Sequence, residues 1–315
     1  MTTAVSKRVA TARSAPVARR PSRYVRGHGR WALVFLGPWL IGMLAFTAGP
    51  MIASLYFSFT DFDLFSDPVW VGLENYTRMF TGDATLLTSL RVTGIYALVG
   101  TPLELGLAFL VAVLLNAGIR GSAFYTSVFY LPSLFGGSVA VAVLWRRIFS
   151  EDGLVNQLLA PLGIEGASWI SDPSYSLSTL IALEVWQFGA PMVIFLAGLR
   201  QIPVQFYEAA QVDGAGPLSR FVRITVPLMT PIIFFNLILQ LIRSLQAFAP
   251  AFIISGGTGG PLDSTLLYSV YLYQQAFTNF DMGYAAAMAW LLLVISAIVA
   301  GLNFLLGRKW VIYGD

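Results

Sequence analysis

The sequence predicts an all-helical membrane protein with six transmembrane helices, and three observations carry that prediction. Of 315 residues, 57% are hydrophobic and only 11% charged, with a mean hydropathy of +0.71; soluble domains are about a quarter charged. Six apolar runs reach the roughly 20 residues that a bilayer core demands. The charge is also unevenly placed. Eight of the 19 basic residues (Lys7, Arg8, Arg13, Arg19, Arg20, Arg23, Arg26 and Arg30) precede residue 31, with no acid among them. A basic arm ahead of a span holds the N-terminus in the cytoplasm, and that reading is preferred to a nucleic-acid-binding role.

The arm, residues 1–30, is built of Ala, Arg, Ser, Thr and Pro and has little to bury. It is expected to be disordered. The same composition fits a mitochondrial transit peptide. A cleaved secretory signal fits poorly, because its apolar core spans about 7–15 residues whereas Trp31 to Phe59 is almost unbroken apolar sequence. The absence of Cys excludes disulfides and thiolate metal sites. The single His28 cannot build a His-ligand cluster, and no cofactor or metal is expected.

The expected spans within a 31–310 domain are about 32–56, 88–115, 123–145, 176–198, 227–254 and 283–306, with 311–315 as a tail. Pro102, Pro132, Pro191 and Pro250 fall inside them. Helix neighbours in a membrane bundle re-satisfy the backbone groups that proline frees, so these positions predict kinked helices lining a path. With the N-terminus inside and an even span count, both termini are cytoplasmic. The external loops then hold 11 of the 16 acids, among them Asp61, Asp83, Glu151, Asp172, Asp263 and Asp281. Arg146 and Arg147 fall at the outer end of the third span. They either snorkel to the interface or meet an external partner.

Polar groups inside spans are costly and usually face a bundle interior. On the fifth span Asn236, Gln240, Arg243 and Ala247 share a helical face, with Ser244 four residues from Gln240. Glu184, Gln187 and Pro191 share one on the fourth, beside Trp186; Thr93, Tyr96, Gly100 and Glu104 make a stripe on the second. Such stripes suit either a polyhydroxylated ligand or interhelical hydrogen bonding, and a buried Glu184–Arg243 pair is a third arrangement.

The segment of about 200–226 is the one long internal stretch that is neither plainly apolar nor plainly loop. Topology places it in the cytoplasm. Pro203 to Val212 reads as a short helix with Pro at its start. Asp213-Gly214 is a stop, since Gly takes the left-handed conformation without penalty. A second helix begins near Pro217 or Leu218 and carries Phe221 and Ile224 on one face, and Pro227 and Pro231 mark the start of the fifth span. Either an amphipathic element on the membrane surface or a docking elbow fits this build.

The residues Glu208-Ala209-Ala210, Asp213-Gly214-Ala215, Phe221, Ile224, Pro227 and Pro231 resemble the EAA loop of ABC importer permeases throughout their spacing. Val71-Gly72-Leu73-Glu74-Asn75-Tyr76, and the run from Gly259-Gly260-Pro261 to Gly283-Tyr284-Ala285-Ala286, resemble segments of the carbohydrate class. The resemblance is closest to the first, maltose-type permease subunit and covers about residues 30–310. It implies the type I importer permease fold, location in a prokaryotic plasma membrane, and import of a mono- or oligosaccharide or related polyol phosphate by alternating access. It implies that Glu208, Ala209, Ala210, Asp213, Gly214 and Ala215 form the loop that couples to a cytoplasmic ATPase. The implied partners are a second homologous permease, two ATPase subunits, an external solute-binding protein and lipid, with no nucleic acid. The implied sugar contacts fall at Glu184, Gln187, Gln240 and Ser244, where the family pattern favours Asn and Ser. Arg243 joins this substrate path from the stripe.

This polypeptide is not expected to be an enzyme. The only lysines are Lys7 and Lys309, and neither follows a glycine-rich loop, so no P-loop is present. Gly256 to Gly260 reads as a flexible external loop. Two competing classes stay open: a proton-coupled secondary transporter using Glu104 or Glu184, and a non-transporting membrane anchor.

Overall fold

The computed structural model describes residues 28–311, with side chains from Val34 onward. Positions 1–27 of the expected basic arm and 312–315 of the tail lie outside the described residues. The last three positions of that arm, from His28, are instead helical, continuous with the apolar run that follows.

The chain divides into one unit up to Ala53 and another from Ser54 onward. The first holds α1 (His28–Met43), a π turn (Leu44–Ala48) and the start of α2 (Gly49–Phe57). From Val34 to Phe57 this helix is apolar over a window of mean hydropathy 1.7, the composition of a span.

In the second unit, β1 (Thr60–Asp61) pairs antiparallel with β2 (Val69–Trp70). The segment Val71 to Tyr76 closes this elbow. Gly72 takes φ +66° and, with Val71, donates to Phe59 O. Asn75, on α3 (Glu74–Thr81), donates to Ser58 O at 3.1 Å and Thr60 O at 3.0 Å; Tyr76 OH reaches Ser58 Oγ at 2.9 Å.

Asp83 caps α4 (Ala84–Ile95) by accepting from Leu86 N at 2.8 Å. A π turn (Tyr96–Gly100) carries the chain into α5 (Thr101–Asn116), giving one 33-residue helix from Ala84 to Asn116. Then come α6 (Ser122–Phe135), α7 (Val139–Ile148), the short α8 (Leu154–Leu159), α9 (Pro173–Trp186) and α10 (Gly189–Leu199). After α11 (Val204–Val212), α12 (Pro217–Arg220) runs through a π turn (Phe221–Thr225) into α13 (Val226–Leu245) and α14 (Ala249–Ile254). The chain ends in α15 (Tyr268–Tyr273), a last π turn (Gln274–Thr278) and α16 (Met282–Trp310). Among the described residues, four helices are long and apolar enough to cross a membrane, and six result if each bent helix pair counts as one span.

Three runs depart from uninterrupted spans. The 123–145 run is broken into α6 and α7 at an angle of 100°. Gly136-Gly137 interrupts it, and Ser138 starts the next helix by accepting from Val141 N at 3.3 Å. The 176–198 run bends by 42° between α9 and α10. The fifth helical element begins at Pro217, not at Pro227, so Pro227 and Pro231 lie inside it. The reason is the π turn. Proline lacks an N–H and its ring collides with the carbonyl four residues back, and a widened turn relieves that collision. Three π turns are followed at the second position by proline: Pro50, Pro102 and Pro227.

Among the described residues the core has three apolar clusters. One centres on Tyr96, Leu180, Tyr268, Tyr284 and Met288, a second on Leu105, Ala108, Met192, Phe195 and Met229, and a small third joins Ala97, Leu241 and Leu245. Ala108 and Ala112 are fully buried four residues apart, and small side chains let helix backbones approach closely.

A polar knot ties the elements at the end of the bundle where α4 and α16 begin. Asp83 accepts from Tyr271 OH at 2.7 Å and from Tyr284 OH. Arg78 pairs with Asp281 at 2.6 Å and stacks 4.1 Å over the Tyr284 ring. Burial tends to raise the Asp83 pKa, but the hydrogen bonds from Tyr284, Leu86 N and Tyr271 and the Arg78 charge outweigh it and hold it below the ordinary carboxylate value. A depressed carboxylate contributes stability above its unfolded pKa that is lost as pH falls through the folded value. Asp83→Ala removes a helix cap and takes the carboxylate acceptor from two tyrosine hydroxyls, and should cost about 3 kcal/mol. Thermal melts in detergent should show the deficit at pH 7 and a shrinking one below about pH 4.

The glycine-rich segment is not a loose loop. Gly256, Gly257, Gly259 and Gly260 all take positive φ. Gly259 O accepts from Thr265 N and Thr265 Oγ1, both at 2.9 Å, and Gln274 Nε2 donates to Gly257 O at 2.7 Å. Leu266 and Leu267 behind it are buried.

Candidate functional site

A polar cavity of about 490 Å³ lies among α5, α6, α9, α10 and α13. Its lining includes Tyr96, Glu104, Glu184, Gln187, Gln240, Arg243 and Ser244. Helical spacing on α13 puts Gln240 and Ser244 on one face, one turn apart, and both are buried. Glu104 is 2% exposed and Glu184 is 6% exposed. Gln240 Nε2 donates to Glu104 Oε2 and, at 3.4 Å, to Glu184 Oε1. Ser244 Oγ donates to Glu184 Oε1 and also shares a 3.0 Å hydrogen bond with Thr101 Oγ1. Two carboxylates from different helices therefore converge on one amide and one hydroxyl, and the three helices are joined at the cavity wall.

Two glycines make room for this arrangement. A β-carbon at Gly100, in the π turn between α4 and α5, would collide with Glu184 Oε2. One at Gly136, in the break after α6, would collide with the Gln187 amide. Gln187 ends α9, donates to Leu183 O at 3.1 Å and still lines the cavity.

The Glu184–Arg243 pair does not form. Among the described residues, the ion pair within 4 Å is Arg78–Asp281. Glu184 takes Ser244 and Gln240 instead, because the face of α13 that turns toward α9 carries those two side chains. Arg243 is exposed and also lines the cavity. The stripes also split. Thr93 Oγ1 accepts from Tyr268 N at 2.7 Å and Asn236 Nδ2 bonds Ile232 O of its own helix at 3.0 Å, so these two serve packing. Tyr130 and Ser133 of α6 line the cavity. Sequence reasoning missed both, although Ser122, Thr126, Tyr130 and Ser133 recur at helical spacing on α6 and could have marked that face.

The second element is the helical elbow α11–α12. Pro203 precedes α11 in extended conformation. The helix ends in a Schellman motif: Ala215 N donates to Ala210 O at 2.8 Å and Gly214 N to Gln211 O at 3.0 Å, with Gly214 at φ +77°. Glu208, Ala209, Asp213 and Gly214 are exposed, and Ala210 and Ala215 are partly so. So are Phe206 (52%), Val212 (88%) and Leu218 (76%), an apolar surface on a polar elbow. Tyr207 OH and Thr225 Oγ1 share a 2.9 Å hydrogen bond that ties α11 to the π turn below α13. Arg146 and Arg147, also exposed, line a separate polar cavity with Ser150, Glu151 and Asp152.

Residues 92–312 match the family model of the binding-protein-dependent transport system inner membrane component. The chain is 52% identical over 297 residues to the probable ABC transporter permease protein YesP of Bacillus subtilis, covering 94% of this chain and 96% of that one. It is 32% identical to the lactose transport system permease protein LacF of Rhizobium radiobacter, over 76% of this chain and 81% of that one. The chain of a bacterial alginate ABC transporter, solved with an alginate pentasaccharide-bound periplasmic protein, superposes with a TM-score of 0.76 at 23% identity. That match covers 93% of this chain and all (100%) of the other, and shows a shared fold. The protein belongs to the family of binding-protein-dependent transport system inner membrane components. It is an ABC transporter permease.

Proposed function

We propose that this permease moves a sugar inward through the Glu104–Gln240–Glu184 cavity, driven by ATP hydrolysis in separate subunits that dock on the α11–α12 elbow. The observation that carries the reading is the cavity itself: a polar, ligand-sized space among five helices, one of which, α13, is continuous with the elbow. The names of relatives supply the substrate class. LacF is named for lactose, and AraP of Bacillus subtilis, 29% identical, for arabinooligosaccharides.

The mechanism follows from rigidity. The Schellman end fixes the angle between α11 and α12, and Tyr207–Thr225 fixes α11 to the base of α13. A push on the exposed Phe206, Val212 and Leu218 surface is then delivered to α13. Rotation of α13 displaces Gln240 and Ser244 from Glu104 and Glu184. The cavity opens alternately to each side, with hydroxyls of the sugar replacing those bonds while it is bound. On this reading both termini and the elbow are cytoplasmic, and the chain sits in a prokaryotic plasma membrane. A solute-binding protein delivers the sugar outside. One elbow per chain implies a second, homologous permease for the second of two ATPase subunits.

A second reading, proton-coupled transport, draws on the two buried carboxylates. Uptake by the assembled complex in proteoliposomes separates the two. Uptake that requires internal-side ATP and survives collapse of the proton gradient supports the ATP-driven importer. Uptake that collapses with the gradient and persists without ATPase subunits overturns it.

A further inference from the structure

Arg243 lines the same cavity as Glu104 and Glu184, yet it lies beyond ion-pair distance of both. Their bonds go to the neutral donors Gln240 and Ser244, and Glu184 is further held in the notch at Gly100. The two acids are buried in the wall, while Arg243 is exposed. Arginine keeps its charge in any protein environment, and the hydrogen bonds of both acids are taken by Gln240 and Ser244, so the guanidinium fork has no hydrogen-bonded acid partner among the described residues. The planar fork of guanidinium matches a carboxylate through two parallel, charge-assisted hydrogen bonds, which a neutral sugar cannot supply.

We infer that the transported sugar carries a carboxylate, and that Arg243 is the residue that selects it. This rests on the reading of the cavity as the sugar path. The remaining wall fits the rest of such a ligand: Tyr130, Ser133, Gln187 and Gln240 offer hydroxyl and amide groups to sugar hydroxyls. The two nearby carboxylates oppose a second negative charge on the ligand, which favours a uronate over a sugar phosphate. Arg243 on this reading acts on specificity, and Glu104 and Glu184 hold the wall.

The test uses the whole complex, with its partner permease, ATPase subunits and binding protein, in proteoliposomes. The probes are uronate disaccharides, their carboxyl-reduced neutral counterparts, and disaccharide phosphates. The wild type should take up at least one uronate in preference to its reduced form. Arg243→Gln should lower uronate uptake about 10- to 100-fold and lower uptake of the reduced form by a factor several-fold smaller. Arg243→Lys should keep part of the uronate uptake. Equal loss for charged and neutral sugars, with a disrupted complex, would show that Arg243 pairs with the partner permease and would overturn the proposal. So would unchanged uronate uptake in Arg243→Gln, or a wild type that moves only neutral sugars or only phosphates. A wild-type complex that moves none of the probes, neutral sugars included, counts instead against the sugar-import reading itself, and the proposal falls with it.

Discussion

Gly214→Val is expected to abolish uptake while the chain still inserts and folds. Gly214 sits at φ +77° at the end of α11, and a β-carbon there would meet nothing within 4 Å. The effect is therefore one of backbone conformation and not of crowding. A β-branched residue held in the left-handed region costs about 1–3 kcal/mol, enough to shift the elbow about 5- to 150-fold away from its native angle. The Schellman bonds from Gly214 N and Ala215 N go with it. No core cluster contains a residue of α11 or α12, so global stability should change little. Either the ATPase subunits dissociate, or they hydrolyse ATP without transport. Gly214→Asn provides the control, since Asn tolerates the left-handed conformation best among non-glycine residues, and it should retain most uptake. Normal uptake by Gly214→Val in an intact complex would count heavily against the coupling role of the elbow.

That elbow was legible in the sequence because everything that shapes it is local. Pro203, Asp213-Gly214 and Pro217 set the start, stop and restart within 15 residues, and the structure places α11 at Val204–Val212 and α12 from Pro217. The break of the third run was also readable in principle. Gly136-Gly137-Ser138 is a stop followed by a helix cap, but uninterrupted hydropathy across the run outweighed it. Helix continuity before Pro227 was not readable for a physical reason: the π turn at Phe221–Thr225 precedes the proline, so α12 runs into α13 without a break and Pro227 falls in the first turn of α13.

The cavity was half legible. Its polar residues stood out as costly groups inside apolar runs. Their pairing did not, because it joins residues 136 and 56 positions apart in the chain. Opposite charge suggested Glu184 with Arg243. Helix rotation decides otherwise, since residues 240 and 244 share a face that 243 leaves by about 60° and 100° respectively. The knot of Asp83, Tyr271, Tyr284 and Arg78 was invisible for the same reason: it brings together α3, α4, α15 and α16, and no pattern within any one of them signals it.

The Glu184 notch yields the second large effect. Gly100→Ala should reduce uptake at least about tenfold, because the added methyl occupies the space of Glu184 Oε2 and drives the carboxylate away from Ser244 and Gln240. The colliding atom is the far end of a flexible side chain, so the fold can yield by moving it. Stability should therefore fall by no more than about 1–2 kcal/mol. Glu184→Ala alone should also impair uptake, since it leaves Ser244 and Gln240 without that acceptor. The double variant Gly100→Ala/Glu184→Ala should be no worse than Glu184→Ala, because the methyl then has nothing to displace. A double-mutant cycle on uptake, with melting temperatures in detergent alongside, measures this. Additive losses from the two changes would place the role of Gly100 in the backbone of the π turn and remove the carboxylate from the account.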